Sequence, residues 1–390
     1  MNITRILLVA ITFLTVYGGA NYYIAKRLYQ WLNLIFPKIN AKIYAGIYIA
    51  ATITVIFGFG IMPLPPAIGA ILRFAGSCWM GTAMYLIMLF FAADMIILLG
   101  NITKIIPKPI PKNILFCKGL ATVLLTAGIV CYGIYNANQI KIAHYDIQTK
   151  YHHLSGEMKI ALISDLHLGT AYSEKNLTAT VKGINSLKPD IVCLAGDIFN
   201  DNFYAISNPK RVMELFKSIE STYGVYASLG NHDGGNTLSE MIRFLEESNV
   251  KLLKDEYEVI DNRLILVGRL DPSPIGGFGG LKRKDMADIL TDIYSTVNTP
   301  YLPIAVMDHN PWNIKQYGPK EVAMIMTGHT HGGQMFPINL ITNAIFAAPY
   351  GHYQLNSDRP HVITTSGAGT WGPPMRIGTN SEIAFIVLRR

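Results

Sequence analysis

The stretch that decides the fold is Lys159–Gly169, which reads KIALISDLHLG. Its apolar part is short and ends at polar residues, which is typical of a buried β-strand. Asp165 and His167 come two positions apart where this strand ends, and alternate side chains of a strand point to the same face. The stretch therefore predicts a strand that delivers a carboxylate and an imidazole to one place, where both can bind one ion.

Four later apolar runs also end in polar residues. The runs are Ile191–Ala195, Val225–Leu229, Pro303–Met307 and Val322–Met326. Segments with helical spacing separate most of the runs, which predicts an α/β fold. Because open α/β sheets carry their sites beyond the carboxyl ends of strands, we expect the polar side chains to converge. The candidates are Asp165, His167, Asp197, Asn231, His232, His309, His329 and His331.

This set of candidates is larger than one ion needs and suits two. Its mixture of carboxylate, amide and imidazole favours Mn, Fe or Zn over Ca or a thiolate site, and the four cysteines have no zinc-site spacing. Each residue alone has an ordinary explanation: Asp197 as a helix cap, Asn231 and Asp233 as turn formers. Five strand ends of this kind in one chain make coincidence a poor explanation.

Charge divides the chain unevenly. Met1–Lys150 is apolar and holds 12 Lys and Arg against two acidic residues, Asp94 and Asp146, whereas the remainder holds 21 basic and 24 acidic residues. The basic excess therefore lies in the apolar part, which favours a membrane over nucleic acid as its partner. Asp94 is either a functional intramembrane carboxylate or a carboxylate near a span end that reaches water.

Four apolar segments are long enough to cross a bilayer as helices. They are Ile6–Ala25, Tyr44–Met62, Phe74–Leu99 and Phe116–Tyr135. The first has a long apolar part with no clear cleavage site after it, so we expect it to be retained rather than removed as a signal peptide. Lysine-rich loops follow the first and third segments, and the positive-inside rule assigns such loops to the cytoplasm.

The expected organisation follows from these segments. We predict an α-helical membrane domain of about four spans at 1–137, a solvated linker at 138–156 and a catalytic domain at 157–390. The chain would be an integral protein of the cell (inner) membrane with the catalytic domain outside the cytoplasm.

The polar motifs together resemble a known family. Asp165-x-His167, Gly196–Asp197, Gly230–Asn231–His232–Asp233, His309 and Gly328–His329–Thr330–His331 resemble the calcineurin-like metallophosphoesterase superfamily. The resemblance covers about Glu157–Arg390. The longer run Gly328–Gln334 and the tail Thr365–Gly369, followed by Pro374–Arg376, resemble the bacterial branch of membrane-anchored or exported phosphodiesterases.

The resemblance implies a β-sandwich flanked by helices and a centre of two divalent metal ions. One ion would be bound by Asp165, His167 and His331, the other by Asn231, His309 and His329, with Asp197 bridging the two. His232 would stabilise the phosphoryl oxygens or protonate the leaving group, and Asp233 would orient His232. Such ions clamp both ends of an in-line displacement and lower the pKa of a bridging water. Arg376 is a weaker candidate, either for phosphate binding or for a surface ion pair.

The expected function is hydrolysis of a phosphoester, of the phosphodiesterase or pyrophosphatase type, by a metal-bridging hydroxide at the membrane. The substrate would be a lipid or envelope-derived phosphoester and the bilayer a second partner; the slightly acidic catalytic half predicts no nucleic-acid partner. Two alternatives stay open: a phosphomonoesterase or nuclease with the same centre, and a metal-binding sensor or transport module without turnover. The oligomeric state is not predicted.

Overall fold

The computed structural model describes residues 3–58, 66–149, 154, 156–170, 172–297, 302–317, 322–354 and 359–390. These residues form two compact units, Met1–Gly133 and Ile134–Arg390. The division lies near the end of a long helix, four residues before the predicted end of the membrane domain.

The first unit is helical. Its helices are α1 (Ile3–Ile35), α2 (Ala41–Gly58), α3 (Pro66–Ile102) and α4 (Lys112–Ala137), the last of which continues into the second unit. Each helix contains most or all of one of the four apolar segments; Met62, where the second segment ends, lies outside the described residues.

Two of these helices are long and apolar enough to cross a membrane. In the described part of the chain they are Ile71–Ile102 within α3, and α4; the apolar part of α2, Ala41–Ile56, is shorter. The described residues thus contain two candidate spans, and a membrane domain of about four spans stays a prediction.

Asp94 is held by two cations inside the helical unit. Its carboxylate lies 2.7 Å from Arg27 Nη2 and 2.9 Å from Lys118 Nζ, and it accepts a hydrogen bond of 2.6 Å from the Tyr23 hydroxyl. These contacts join α1, α3 and α4. The structure thus gives Asp94 a role in helix packing.

The second unit contains two six-stranded sheets. In chain order their strands are β1 (Ile140–Gln148), β2 (Glu157–Ile163), β3 (Ile191–Ala195), β4 (Val225–Ser228), β5 (Val250–Leu252), β6 (Glu256–Ile260), β7 (Leu264–Gly268), β8 (Ile304–Met307), β9 (Met324–Thr327), β10 (Gly351–Tyr353), β11 (His361–Thr364) and β12 (Ser381–Arg389). The first sheet has the order β1-β12-β2-β3-β4-β5 and the second β10-β11-β9-β8-β7-β6. Both are mixed sheets; β2–β5 run parallel in the first, and β7, β8, β9 and β11 run parallel in the second.

The two sheets face each other across an apolar core. Alternate residues of β2 show the layering: Ile160 and Leu162 pack between the sheets with Met307 and Met326, whereas Ile163 packs on the outer face. The helices of this unit are α5 (Ser173–Leu187), α6 (Pro209–Lys217), α7 (Leu238–Glu247), α8 (Met286–Thr296) and α9 (Ile338–Ile345).

Helices cover both outer faces of this sandwich. α5, α6 and α7 cover the first sheet, and α8 covers the second. The predicted α/β sandwich flanked by helices is therefore present.

The linker prediction is wrong for residues 140–148. This segment forms β1, which pairs in parallel with β12 along its whole length, while residues 150–153 and 155 of the linker lie outside the described part. β1 is an edge strand with a largely exposed outer side, so its sequence lacks the apolar run that marked the other strands. Four further short elements were not predicted from the sequence: β5, β6, β10 and α9.

Candidate metal centre

The polar residues converge because the carboxyl ends of five strands meet at one edge of the sandwich. β2, β3 and β4 are parallel neighbours in the first sheet, and β8 and β9 are parallel neighbours in the second. The loop after each strand carries one or two candidates. Backbone hydrogen bonds between these loops, such as His167 N–H to Asp197 O at 3.0 Å, hold the ends together.

The first ligand group consists of Asp165, His167 and His331, all buried. Nε2 of His167 lies 3.2 Å from Nε2 of His331, and Nε2 of His331 lies 3.3 Å from Oδ1 of Asp165. Ligands about 2.1 Å from a tetrahedral ion are separated by roughly 3.4 Å. The three atoms are therefore spaced as ligands of one ion would be.

The second ligand group consists of Asp197, His309 and His329. Oδ2 of Asp197 lies 3.0 Å from His309 Nε2 and 3.8 Å from His167 Nε2, so this carboxylate stands between the two groups. Oδ1 of Asn231 lies 2.8 Å from Nδ1 of His329 and adds an amide oxygen. The structure thus brings the seven residues predicted as ligands together, and their division between two ions stays a prediction.

One buried nitrogen atom shows that the site fits a metal ion. His309 Nε2 makes no well-aligned hydrogen bond within the described residues, and it lies 3.0 Å from the carboxylate of Asp197. The other nitrogen of His309, Nδ1, lies 2.8 Å from the carbonyl oxygen of Ala195 and donates to it. This bond fixes the tautomer that leaves Nε2 free to bind a cation.

Five of the ligands have left-handed backbone conformations. They are Asp165, His167, Asp197, His329 and His331, with φ between 45° and 69°. Asp and His tolerate this region better than most residues, but each still costs about 1–2 kcal/mol. Such strain is concentrated at functional sites, where the surrounding structure maintains it.

Two glycines allow the ligand loops to approach closely. A Cβ atom at Gly230 would overlap the backbone nitrogen and carboxylate of Asp197, and one at Gly328 would overlap Ser164 and the carboxylate of Asp165. Only glycine leaves room for these contacts.

Burial sets the protonation of the ligand groups. It raises the pKa of Asp165 to about 6, and it lowers the pKa of His167 to about 3 and that of His329 to about 4. Burial would also raise the pKa of Asp197, but the charge of His309 outweighs it, so the pKa of Asp197 falls below its usual value. Burial would lower the pKa of His309, but Asp197 raises it well above the usual value. His309 must therefore lose a proton before it can bind a cation.

His232 is oriented by Asp201 and not by Asp233. Nδ1 of His232 lies 2.8 Å from Oδ1 of Asp201. Burial would lower the pKa of His232, but this bond and the charge of Asp197 raise it. The carboxylate of Asp233 instead accepts the backbone N–H groups of Phe199 and Gly230 at 2.7 and 2.8 Å. The predicted role of Asp233 is therefore wrong; a second aspartate four residues after Asp197 was the available signal.

Arg376 supports the ligand loop from behind. It is fully buried, so it is not a surface ion pair. Nη2 donates to the carbonyl oxygens of Ser366 and Gly369 at 2.6 and 2.7 Å, and Nη1 donates to that of His331 at 3.2 Å. These bonds occupy both terminal nitrogens, so Arg376 holds the backbone around His331 in place.

Comparison with known proteins shows what the residues of the site resemble. The model of the family described as calcineurin-like phosphoesterase matches residues 158–333. An uncharacterized metallophosphoesterase of Campylobacter jejuni is 26% identical over 389 residues, 96% of this chain and 96% of its own. A transmembrane protein with metallophosphoesterase domain from Danio rerio is 28% identical over 70% of this chain and 63% of its own.

Among solved structures, NAD nucleotidase of Haemophilus influenzae is similar with a TM-score of 0.39 and 15% identity, over 55% of this chain and 46% of that one.

The residues matched by the family model, 158–333, include every one of the seven predicted ligands. The family model and the relatives therefore support a likeness of residues 158–333 to the calcineurin-like phosphoesterases, whose family name denotes hydrolysis of phosphoesters.

Proposed function

We propose that the chain is a membrane-tethered phosphoester hydrolase of the phosphodiesterase or pyrophosphatase type that uses two divalent metal ions. The observation that carries the proposal is the pair of ligand groups: Asp197 of the second group lies 3.8 Å from His167 of the first, and His232 lies beside them. A sensor domain needs ligands alone, whereas a histidine paired with its own carboxylate suits proton transfer.

The ligands proposed for one ion are Asp165, His167 and His331, and those for the other are Asn231, His309 and His329, with Asp197 shared. Mn, Fe and Zn all suit this donor set. When bound, the ions supply positive charge for the phosphoryl oxygens and lower the pKa of water.

The chain's own residues then have distinct tasks. Asp201 holds Nδ1 of His232, so Nε2 of His232 is left to donate a proton to the departing oxygen of the substrate. The ring of His232 lies 5.1 Å from that of His167, which supports a position beside the first ligand group. Asp233 anchors the loop that carries Asn231 and His232 through two backbone bonds.

Membrane tethering rests on two observations. α3 and α4 contain helices long and apolar enough to cross a bilayer, and relatives from Danio rerio and Bos taurus are named transmembrane proteins with a metallophosphoesterase domain. We propose the inner membrane, about four spans and an extracytoplasmic site, with a lipid or envelope-derived phosphoester as substrate. Reporter fusions placed after Gln148 test the orientation: a reporter active only in the cytoplasm would contradict it.

The catalytic proposal is tested on the full chain in nanodiscs loaded with Mn. We would assay an aryl phosphodiester and an aryl phosphomonoester side by side and measure bound metal. Asp197→Asn is expected to lose metal and turnover together, because the shared carboxylate is removed. His232→Ala is expected to keep both ions and lose turnover, and a His232→Ala chain with full activity would refute the proton-transfer role. Faster turnover of the monoester would favour a phosphomonoesterase.

A further inference from the structure

We propose that an apolar surface beside the metal centre rests on the lipid bilayer. We call it the apolar rim and define it as Trp312, Phe336, Leu340, Ile341 and Ile345. The proposal rests on the membrane location and phosphoester chemistry proposed above and adds the surface that would bring the site to its substrate.

The apolar rim is exposed although it is strongly apolar. α9 buries none of its residues, and Leu340, Ile341 and Ile345 are 58%, 57% and 51% exposed. Trp312, on the short 3-10 helix Pro311–Gln316, is 62% exposed, and Phe336 is 45% exposed. Four of the five residues fall within ten positions of the chain, and exposed apolar side chains grouped in this way mark an interaction surface rather than an ordinary protein surface.

The rim is fixed to the metal centre. Gly333, in the ligand loop that begins at Gly328, lies so close to α9 that a Cβ atom there would overlap the backbone of Asn339. At the other end of α9, the ring of Phe346 lies 6.0 Å from that of His329 and 5.6 Å from that of Trp312. Whatever contacts the rim is therefore adjacent to the second ligand group.

The end of a candidate membrane helix lies beside the rim. In the last turn of α4, which belongs to this unit, the Asn136 side chain donates to the carbonyl oxygens of Arg376 and Thr379 at 3.2 and 2.8 Å. The backbone N–H of Phe336 donates to the carbonyl oxygen of Ile377, in the same segment, at 2.8 Å. The segment 376–379 thus holds both the end of α4 and the start of the rim.

The composition of the rim also favours lipid. No Asp, Glu, Lys or Arg occurs between Gly328 and Ser357, so burial of this segment in a bilayer desolvates no formal charge. Exposed Trp, Phe and Leu side chains on one face are typical of surfaces that insert into the headgroup region. The occupant that fits is the acyl–headgroup boundary of a bilayer.

This placement narrows the substrate class. A phosphoester whose apolar chains stay in the bilayer could reach the ligand groups without leaving the membrane. We therefore assign the site to a phosphodiester or pyrophosphate headgroup of a lipid.

The docking surface is tested by photocrosslinking of the wild-type chain. The full chain is placed in nanodiscs of phosphatidylethanolamine and phosphatidylglycerol. A trace of phosphatidylcholine with a diazirine on its acyl chain is the probe. After illumination, lipid adducts are mapped by mass spectrometry. Peptides that cover residues 336–346 are expected to carry several-fold more adduct than the peptide with Tyr204, although Tyr204 is more exposed. Equal or lower yield at 336–346 would overturn the proposal, including the case in which a second copy covers the rim.

Variants separate docking from catalysis. The double variant Leu340→Ser/Ile341→Ser should lower the adduct yield and reduce kcat/KM for an acylated aryl phosphodiester in the nanodisc by about tenfold. Its kcat/KM for the water-soluble aryl diester should stay unchanged. Tyr204→Ser is the matched control. Equal kcat/KM of this double variant and wild type on the acylated diester would overturn the substrate assignment. If the wild-type chain hydrolyses neither diester but still forms adducts at the rim, the proposed function is refuted and the docking surface is retained.

Discussion

Nδ1 of His232 lies 2.8 Å from Oδ1 of Asp201, so the histidine proposed for proton transfer is paired with a carboxylate 31 residues earlier in the chain. Asp233, the next residue in sequence, does not contact the His232 ring in this way; its carboxylate accepts hydrogen bonds from two backbone N–H groups. The two aspartates therefore predict different mutant phenotypes.

Asp201→Asn is expected to reduce turnover of the aryl phosphodiester by about 10- to 100-fold, because general acid catalysis depends on an oriented imidazole. Bound metal should stay at the wild-type level, since Asp201 is not in either ligand group. The measurement is kcat together with metal content by elemental analysis. Asp261→Asn, at an exposed aspartate that pairs with Tyr223 and Arg263, is the control. Wild-type kcat in Asp201→Asn would contradict the pairing.

Asp233→Asn is expected to destabilise the fold by about 1–3 kcal/mol, because an amide cannot accept both backbone N–H bonds and leaves one buried donor unpaired. The pKa of Asp233 is raised to about 7 by burial and by the charge of Asp197, so this carboxyl already lies in an unfavourable setting for charge. Thermal unfolding of the metal-loaded chain measures the change. A melting temperature equal to that of wild type would show that the two bonds contribute little.

Removal of residues 1–150 is expected to yield an aggregated catalytic unit. The deletion removes β1, which leaves the full length of β12 as an unpaired edge, and unpaired edges associate with other chains. It also removes Ala137, whose carbonyl oxygen accepts hydrogen bonds from Asn176 and Ser381. Size-exclusion chromatography should show large species, whereas a chain that begins at Ile134 should be monodisperse by comparison. A well-behaved product of the shorter chain would indicate that β1 is dispensable.

The ligand loops could be predicted because each one has a local sequence signal. A buried run of apolar residues followed by Asp, Asn or His is visible in the sequence for Asp165, Asp197, Asn231, His309 and His329, and parallel neighbours place their carboxyl ends at one edge. The packing of two separate sheets, which brings His309 next to Asp197, is not visible locally. It came only with the family resemblance.

The features that could not be predicted from the sequence depend on tertiary packing. Arg376 is polar and lies in a glycine-rich tail, so nothing local indicates that a guanidinium is fully buried among carbonyl groups. β1 pairs with β12 along one edge and has many solvent-exposed residues. Its sequence is therefore polar enough to resemble a connector. α9 is a short apolar helix that lies outside both sheets, and the structure leaves none of its residues buried.

Metal binding is expected to release protons and to strengthen as the pH rises from 6 to 8. Two ligand groups lose a proton on binding in this range. His309, whose pKa Asp197 raises well above its usual value despite burial, is the main source, and Asp165, whose pKa burial raises to about 6, contributes only near pH 6. His167 and His329, with pKa values of about 3 and 4, are already neutral there and release none. Each proton released makes affinity rise about tenfold per pH unit. Titration calorimetry with Mn in two buffers of different ionisation enthalpy measures the number of protons, and affinity that is constant or falls across this range would contradict the assignment of His309 as a ligand.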